Sequence, residues 1–188
     1  MSTLGAVLAG GRSSRMGADK AEVEVEGQTM LQRVSSALGE ILPHVVVLGA
    51  DREGIECWPD VVPARGPLAG IVTALSRMED DRVLIVAVDQ PFVRTRTLAR
   101  LGELDSMIPV VPVDQEGVRQ VTCALYPKAI ASAAMEEAEA DGSIQSLLDR
   151  VSFQAVTPEI WSLWGEDGRS WFSVDTPGAL EEGVRRFL

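Results

Sequence analysis

Six apolar residues in a row, Val83 to Val88, run into Asp89 with no polar residue among them. A strand with one wet face alternates, so a run without alternation belongs at the centre of a parallel sheet covered on both faces. Other runs of strand length, Leu4 to Leu8, His44 to Leu48 and Ile108 to Val113, are separated by stretches of helical spacing. Met30, Leu31, Val34, Leu38 and Ile41 recur at helical intervals after the turn-forming Glu26 and Gly27, and Pro43 closes the segment. Leu68 to Met78 reads as a second helix, with Pro67 suited to its first turn. This order predicts an α/β fold, a doubly wound, mostly parallel sheet with helices on both faces. Further helices are expected over Leu98 to Leu104, Lys128 to Glu139, Ser143 to Arg150 and from the Thr176 and Pro177 cap to Phe187. Strands are expected over Val118 to Leu125, Phe153 to Val156 and Trp171 to Val174, with a loop over Trp161 to Ser170.

Where the first strand ends the sequence reads LAGGRSSRMGADK, Leu8 to Lys20. Gly10 and Gly11 let the backbone turn sharply with its N–H groups aimed at an anion, and Arg12, Arg15 and Lys20 add mobile positive charge. Such a loop is built to hold a polyphosphate. Its spacing is neither GxxxxGKS nor GxGxxG, which excludes the P-loop and dinucleotide fingerprints.

With 188 residues and 46% hydrophobic composition, the chain is expected to form one domain spanning 1–188. No apolar run approaches the ~20 residues of a membrane helix, and the N-terminal arginines follow the apolar stretch, the reverse of a secretory signal. A cytoplasmic monomer without a membrane partner is the expectation. A net charge of -11 argues against a nucleic-acid partner. Cys57 and Cys123 lack metal spacing and read as two reduced buried thiols.

In open parallel sheets ligands bind at the carboxyl ends of strands, where strand order reverses. The glycine loop, Asp60 with the ARGPLAG segment from Ala64 to Gly70, and Asp89 in the VDQP stretch all fall at such ends. Asp89 is the best candidate metal ligand, because magnesium takes one or two protein carboxylates and fills its shell with water and phosphate oxygens. Its competing reading is a cap for the next helix. Asp175, before Thr176 and Pro177, is a second candidate ligand or an ordinary turn residue. Asp60 either accepts hydrogen bonds from a base or ribose or organises its own loop. His44 starts a strand, at the wrong end for ligands, and is given no role. No serine or cysteine sits in a nucleophile signature. Nucleotidyl transfer to an ionised phosphate needs none, only magnesium, cations on the α-phosphate and an in-line geometry. Trp161, Trp164 and Trp171 offer flat faces for stacking, a role in which Trp164 is the candidate, or serve as core anchors.

Taken together, LAGGRSSRMGADK, GQTMLQRV at 27 to 34, GPLAGI at 66 to 71, VDQPF at 88 to 92, VTCALYP at 121 to 127 and VDTPGAL at 174 to 180 resemble the molybdenum cofactor guanylyltransferases over nearly the whole chain. The resemblance implies a single Rossmann-like nucleotidyltransferase domain that transfers GMP from GTP to the terminal phosphate of molybdopterin and releases pyrophosphate. It implies that Leu8, Ala9, Gly10, Gly11, Lys20, Asp60 and Asp89 bind the nucleotide, that Arg15, Lys20 and Asp89 are catalytic, and that Asp89 holds Mg2+. From the residues themselves, Asp175 is the candidate second ligand, and Trp164 and Ser173 are the candidates to face the acceptor. GTP and molybdopterin are the implied partners, together with cofactor-assembly proteins or molybdoenzyme chaperones. Two departures leave alternatives open. Leu48 stands where members often carry an Asn, and Ser173 and Asp175 replace the family's pair of asparagines before Thr-Pro. The alternatives are a nucleotidyltransferase for another base or acceptor, such as the cytidylyltransferase relatives or a phospholactate-type guanylyltransferase, and a catalytically silent nucleotide-binding partner.

Overall fold

A computed structural model describes residues 1–10, 19–49, 52, 54–63 and 66–188. Gly11, Arg12 and Arg15, and with them the middle of the glycine loop, lie outside the described residues, as do Ala64 and Arg65. The strands are β1 (Thr3–Leu8), β2 (Glu24–Val25), β3 (Gln28–Thr29), β4 (Val45–Leu48), β5 (Cys57–Trp58), β6 (Arg82–Ala87), β7 (Val110–Pro112), β8 (Cys123–Pro127) and β9 (Gln154–Val156). The helices are α1 (Met30–Gly39), α2 (Pro67–Arg77), α3 (Thr95–Glu103), α4 (Ala131–Glu139), α5 (Ile144–Arg150), α6 (Pro158–Trp161) and α7 (Pro177–Phe187). The described residues form a seven-stranded sheet in the order β5-β4-β1-β6-β8-β7-β9 and a small β2-β3 hairpin. All pairings in the large sheet are parallel except those of β8, which runs against both β6 and β7.

The unbroken apolar runs become the sheet centre because each strand feeds two cores at once. Leu4, Ala6, Leu8, Val83, Ile85 and Ala87 point to one side, where α2, α4 and α5 cover them. Val7, Leu84, Val86 and Val88 point to the other, against α1, α3 and the apolar edge of α7. α1 begins with a capping box, in which Thr29 Oγ1 accepts the Gln32 N–H at 3.1 Å and Gln32 Oε1 accepts the Thr29 N–H at 2.9 Å. Pro67 stands in the first turn of α2 as expected. No helix among the described residues is long and apolar enough to cross a membrane.

Three expectations need correction. Trp171 to Val174 is not a strand. Arg169–Trp171 forms a 3-10 turn, Trp171 packs edge-on to Trp161, and the following residues run to α7 without a ladder. The strand expected over Val118 to Leu125 begins only at Cys123 and extends to Pro127, because Asp114 folds 114–118 into a turn, its Oδ1 accepting the N–H groups of Glu116 and Val118. The loop expected over Trp161 to Ser170 is largely short helical turns.

Candidate active site

Chain order places the reversal point between β1 and β6: after β1 the chain moves outward to β4 and β5, then returns to lay β6 on the other side of β1. The carboxyl ends there are bound together. Ala9 N–H donates to Leu48 O at 3.1 Å, and Val88 N–H donates to Leu8 O at 3.0 Å. Leu8 and Ala9 turn their buried side chains into opposite cores, so what they present to a ligand is main chain. Gly10 meets Gly49 back to back. A Cβ on Gly49, whose φ is +78°, would stand 2.9 Å from the Gly10 Cα. Asp60 Oδ1 lies 3.5 Å from that same point, which brings Asp60 to the end of β4. Partial desolvation raises its carboxyl from the ordinary value. Leu48 is wholly buried, so this position offers no polar side chain to a nucleotide.

Asp19 opens the turn Lys20–Glu22 after the glycine loop, its Oδ1 accepting the Ala21 N–H at 3.1 Å. From that turn Lys20 reaches across the end of the sheet. Its Nζ stands 3.2 Å from Asp89 Oδ2 and donates also to Asp175 Oδ1. Burial works to lower the ammonium's pKa, but the Asp175 and Asp89 carboxylates outweigh it and hold Lys20 above its ordinary value, fully charged. Asp89 does not cap α3, which begins at Thr95 after Arg94, and Asp175 does not cap α7, whose cap is Thr176. Both carboxylates are therefore left at the crevice. Val174 N–H donates to Asp89 O at 2.7 Å and stitches the two segments together. Ser173 is beside them, its Oγ 3.4 Å from Asp175 Oδ2.

Trp164 is half-buried against the core on a 3-10 turn next to α3, and nothing described brings it to Lys20 or Asp89. Trp161 and Trp171 are core anchors, with Trp161 Nε1 donating to Val113 O at 2.9 Å. His44 faces solvent beside Glu56, 2.9 Å away, remote from the crevice. Both cysteines are free thiols, but only Cys123 is buried, which pushes its thiol up; Cys57, expected to be buried, is half-exposed because β5 is the edge strand of the sheet.

Sequence reading missed Arg33. From α1 its Nε donates to Pro91 O at 3.0 Å and braces the turn that carries Asp89. Its only signal was a lone cation on the otherwise apolar face of GQTMLQRV.

A sheet of this winding, with a cation and two carboxylates gathered at its reversal point, has the architecture of an α/β nucleotidyltransferase. The family model of the MobA-like NTP transferase domain matches residues 5–156, and the chain belongs to that family. Over 97% of its length it is 35% identical to a probable molybdenum cofactor guanylyltransferase of Natronomonas pharaonis, of which it covers 96%. Over 94% it is 33% identical to a probable molybdenum cofactor guanylyltransferase of Pelotomaculum thermopropionicum, of which it covers 89%. Its fold is that of molybdopterin-guanine dinucleotide biosynthesis protein A from Archaeoglobus fulgidus, with a TM-score of 0.83 over 97% of both chains at 24% identity.

Proposed function

We propose that the chain transfers GMP from GTP to the terminal phosphate of molybdopterin. The observation that carries this reading is Lys20 drawn between Asp89 and Asp175 at the ends of the central strands. An acceptor phosphate oxygen forms a bond to the α-phosphorus of GTP, and the bond from that phosphorus to the oxygen bridging to the β-phosphate breaks, releasing pyrophosphate. The acceptor oxygen is already ionised, so no side chain has to remove a proton. Lys20 places fixed positive charge where negative charge grows on the transferring phosphate. Arg15, in the same glycine loop, is proposed to share that task, and the main chain of Leu8, Ala9, Gly10 and Gly11 with Asp60 to seat the nucleoside.

Two carboxylates at the crevice, both drawn to Lys20 Nζ, fit magnesium, which takes few protein ligands and keeps its remaining positions for water and phosphate. Among the described residues no group of three or more His, Cys, Asp or Glu forms a metal cage, so an ion held here would take most of its ligands from water and phosphate. Asp89 and Asp175 would hold the ion, which when bound neutralises the phosphates and aligns them for displacement. Ser173, beside Asp175, is proposed on the acceptor side.

Calorimetric titration with GTP, CTP and ATP, each with and without magnesium, tests the reading. Magnesium-assisted binding of GTP alone supports it, as does release of pyrophosphate when molybdopterin is added. A preference for CTP reassigns the donor, and binding of none of the three overturns the proposal.

A further inference from the structure

We infer that Arg52 is a positioning residue for Lys20, one that ties the loop beside the nucleoside to the turn beside the phosphates. The inference rests on the nucleotidyl-transfer reading and extends it to a residue outside the crevice. Arg52 lies in the connection from β4 to β5, which starts at the Gly49 contact with Gly10. Its side chain is only 15% exposed. Nη2 donates to Asp19 Oδ2 at 2.7 Å and Nη1 to Glu22 Oε1 at 2.6 Å. Asp19 and Glu22 bracket Lys20 in sequence, so one planar fork fixes the separation of the two ends of the turn that carries the lysine.

That turn needs outside support. It is a three-residue 3-10 turn closed by two backbone bonds, Glu22 N–H to Asp19 O at 3.0 Å and Val23 N–H to Lys20 O at 3.2 Å. So short an element holds little conformational preference of its own. The base of the grip is held in turn, since Arg52 O accepts Ile55 N–H at 3.4 Å and the Cys57 Sγ lies 3.8 Å away, folding the loop back on β5. Arg52 Nε is buried with no partner among the described residues, so the guanidinium's described hydrogen bonds all go to the two carboxylates around Lys20.

The carboxylates themselves are more than half exposed, at 53% and 63% of their side chains. Ion pairs with such partners add little to global stability. Loss of Arg52 therefore acts on the placement of Lys20 and leaves the melting temperature nearly unchanged. A misplacement of about 1 Å at a reacting group costs on the order of tenfold to a hundredfold in rate.

The experiment is a double-mutant cycle on GTP affinity in magnesium, by calorimetry, with kcat and KM measured alongside. Arg52→Ala is expected to weaken GTP binding about tenfold, with the melting temperature held within about 2 °C. In a Lys20→Ala background the same substitution is expected to cost less than about twofold, because the positioned group is gone. Arg52→Lys recovers only a minor part, since an ammonium lacks the fork that spans two carboxylates. An equal loss with and without Lys20, or a fall in melting temperature that tracks the loss of affinity, overturns the inference while leaving nucleotide binding by the wild type intact. Failure of the wild type itself to bind GTP overturns the underlying reading and this one with it.

Discussion

Gly183 of α7 faces the ring of Phe92 so closely that a Cβ on the glycine would lie 2.2 Å from Phe92 Cε2 and 3.1 Å from Phe172 Cε1. Phe92 follows the turn that carries Asp89 and also packs against Phe187, ring centres 5.4 Å apart. Gly183→Ala therefore overpacks a contact in which neither ring has room to yield. The cost is about 1–3 kcal/mol, less the roughly 1 kcal/mol that alanine gains in a helix. Calorimetry is expected to show a melting temperature lowered by a few degrees; an unchanged value would show that α7 slides freely over Phe92.

Lys20 and Asp89 give different signatures when removed. Asp89→Asn is expected to abolish GMP transfer and to raise the magnesium concentration needed for GTP binding, with an unchanged melting temperature. Lys20→Ala lowers kcat/KM by about 100-fold to 1,000-fold, the range for loss of a charge-stabilising donor. Full turnover by Asp89→Asn would remove it from the metal site.

Glu166 is a buried carboxylate surrounded by donors. Its Oε1 accepts the N–H groups of Asp167, Gly168 and Ser170 at 3.0, 2.8 and 3.2 Å, while Oε2 accepts Thr97 Oγ1 at 2.5 Å and Ser170 Oγ. Glu166→Gln has to aim an NH2 group at donors on one side or the other. A loss of about 3 kcal/mol, or roughly 6–12 °C in melting temperature, is expected, with faster proteolysis between 161 and 171. Wild-type stability in this variant would contradict the bonding pattern.

Acid lowers stability in a window that Asp167 helps to set. Its hydrogen bond from Arg169 holds the carboxyl below the ordinary 3.8, against a smaller opposing effect of burial. A carboxyl depressed in the folded state contributes in full above its unfolded value and loses that contribution as pH falls through the folded value. The melting temperature is thus expected to be flat above about pH 5 and to fall below about pH 4, with a shallower acid slope in Asp167→Asn. An identical slope in that variant would assign the acid sensitivity elsewhere.

Much of this was legible in the sequence, for a physical reason. Val83 to Val88, Met30 to Ile41 and Leu68 to Met78 serve cores on one or both sides, and burial leaves its period in the residues themselves. Lys20 and Asp89 were legible because the glycine loop and Asp89 come after the ends of β1 and β6, and the sheet gathers strand ends, whereas Asp175 follows no strand and reaches the crevice through the Val174 N–H bond to Asp89 O. Trp171 to Val174 misled because its side chains are apolar for another reason: Trp171 meets Trp161, Phe172 meets Phe92, and Val174 N–H goes to a single carbonyl, that of Asp89. Arg33 left no more than a lone cation and Arg52 left no trace, since one grips the main chain of Pro91 and the other grips carboxylates 33 and 30 residues away. Local spacing carries no record of such pairings.

The six-residue parallel register between β1 and β6, Thr3 to Leu8 on Arg82 to Ala87, has a consequence for how far a substitution is felt. β1, which leads into the glycine loop before Lys20, and β6, which leads into Asp89, are nearest neighbours in the middle of one sheet. Six paired residues on each strand make the two a single ladder, so a substitution within β1 disturbs β6 and the turn at Asp89 as well, whereas a substitution in the connections above leaves the ladder whole.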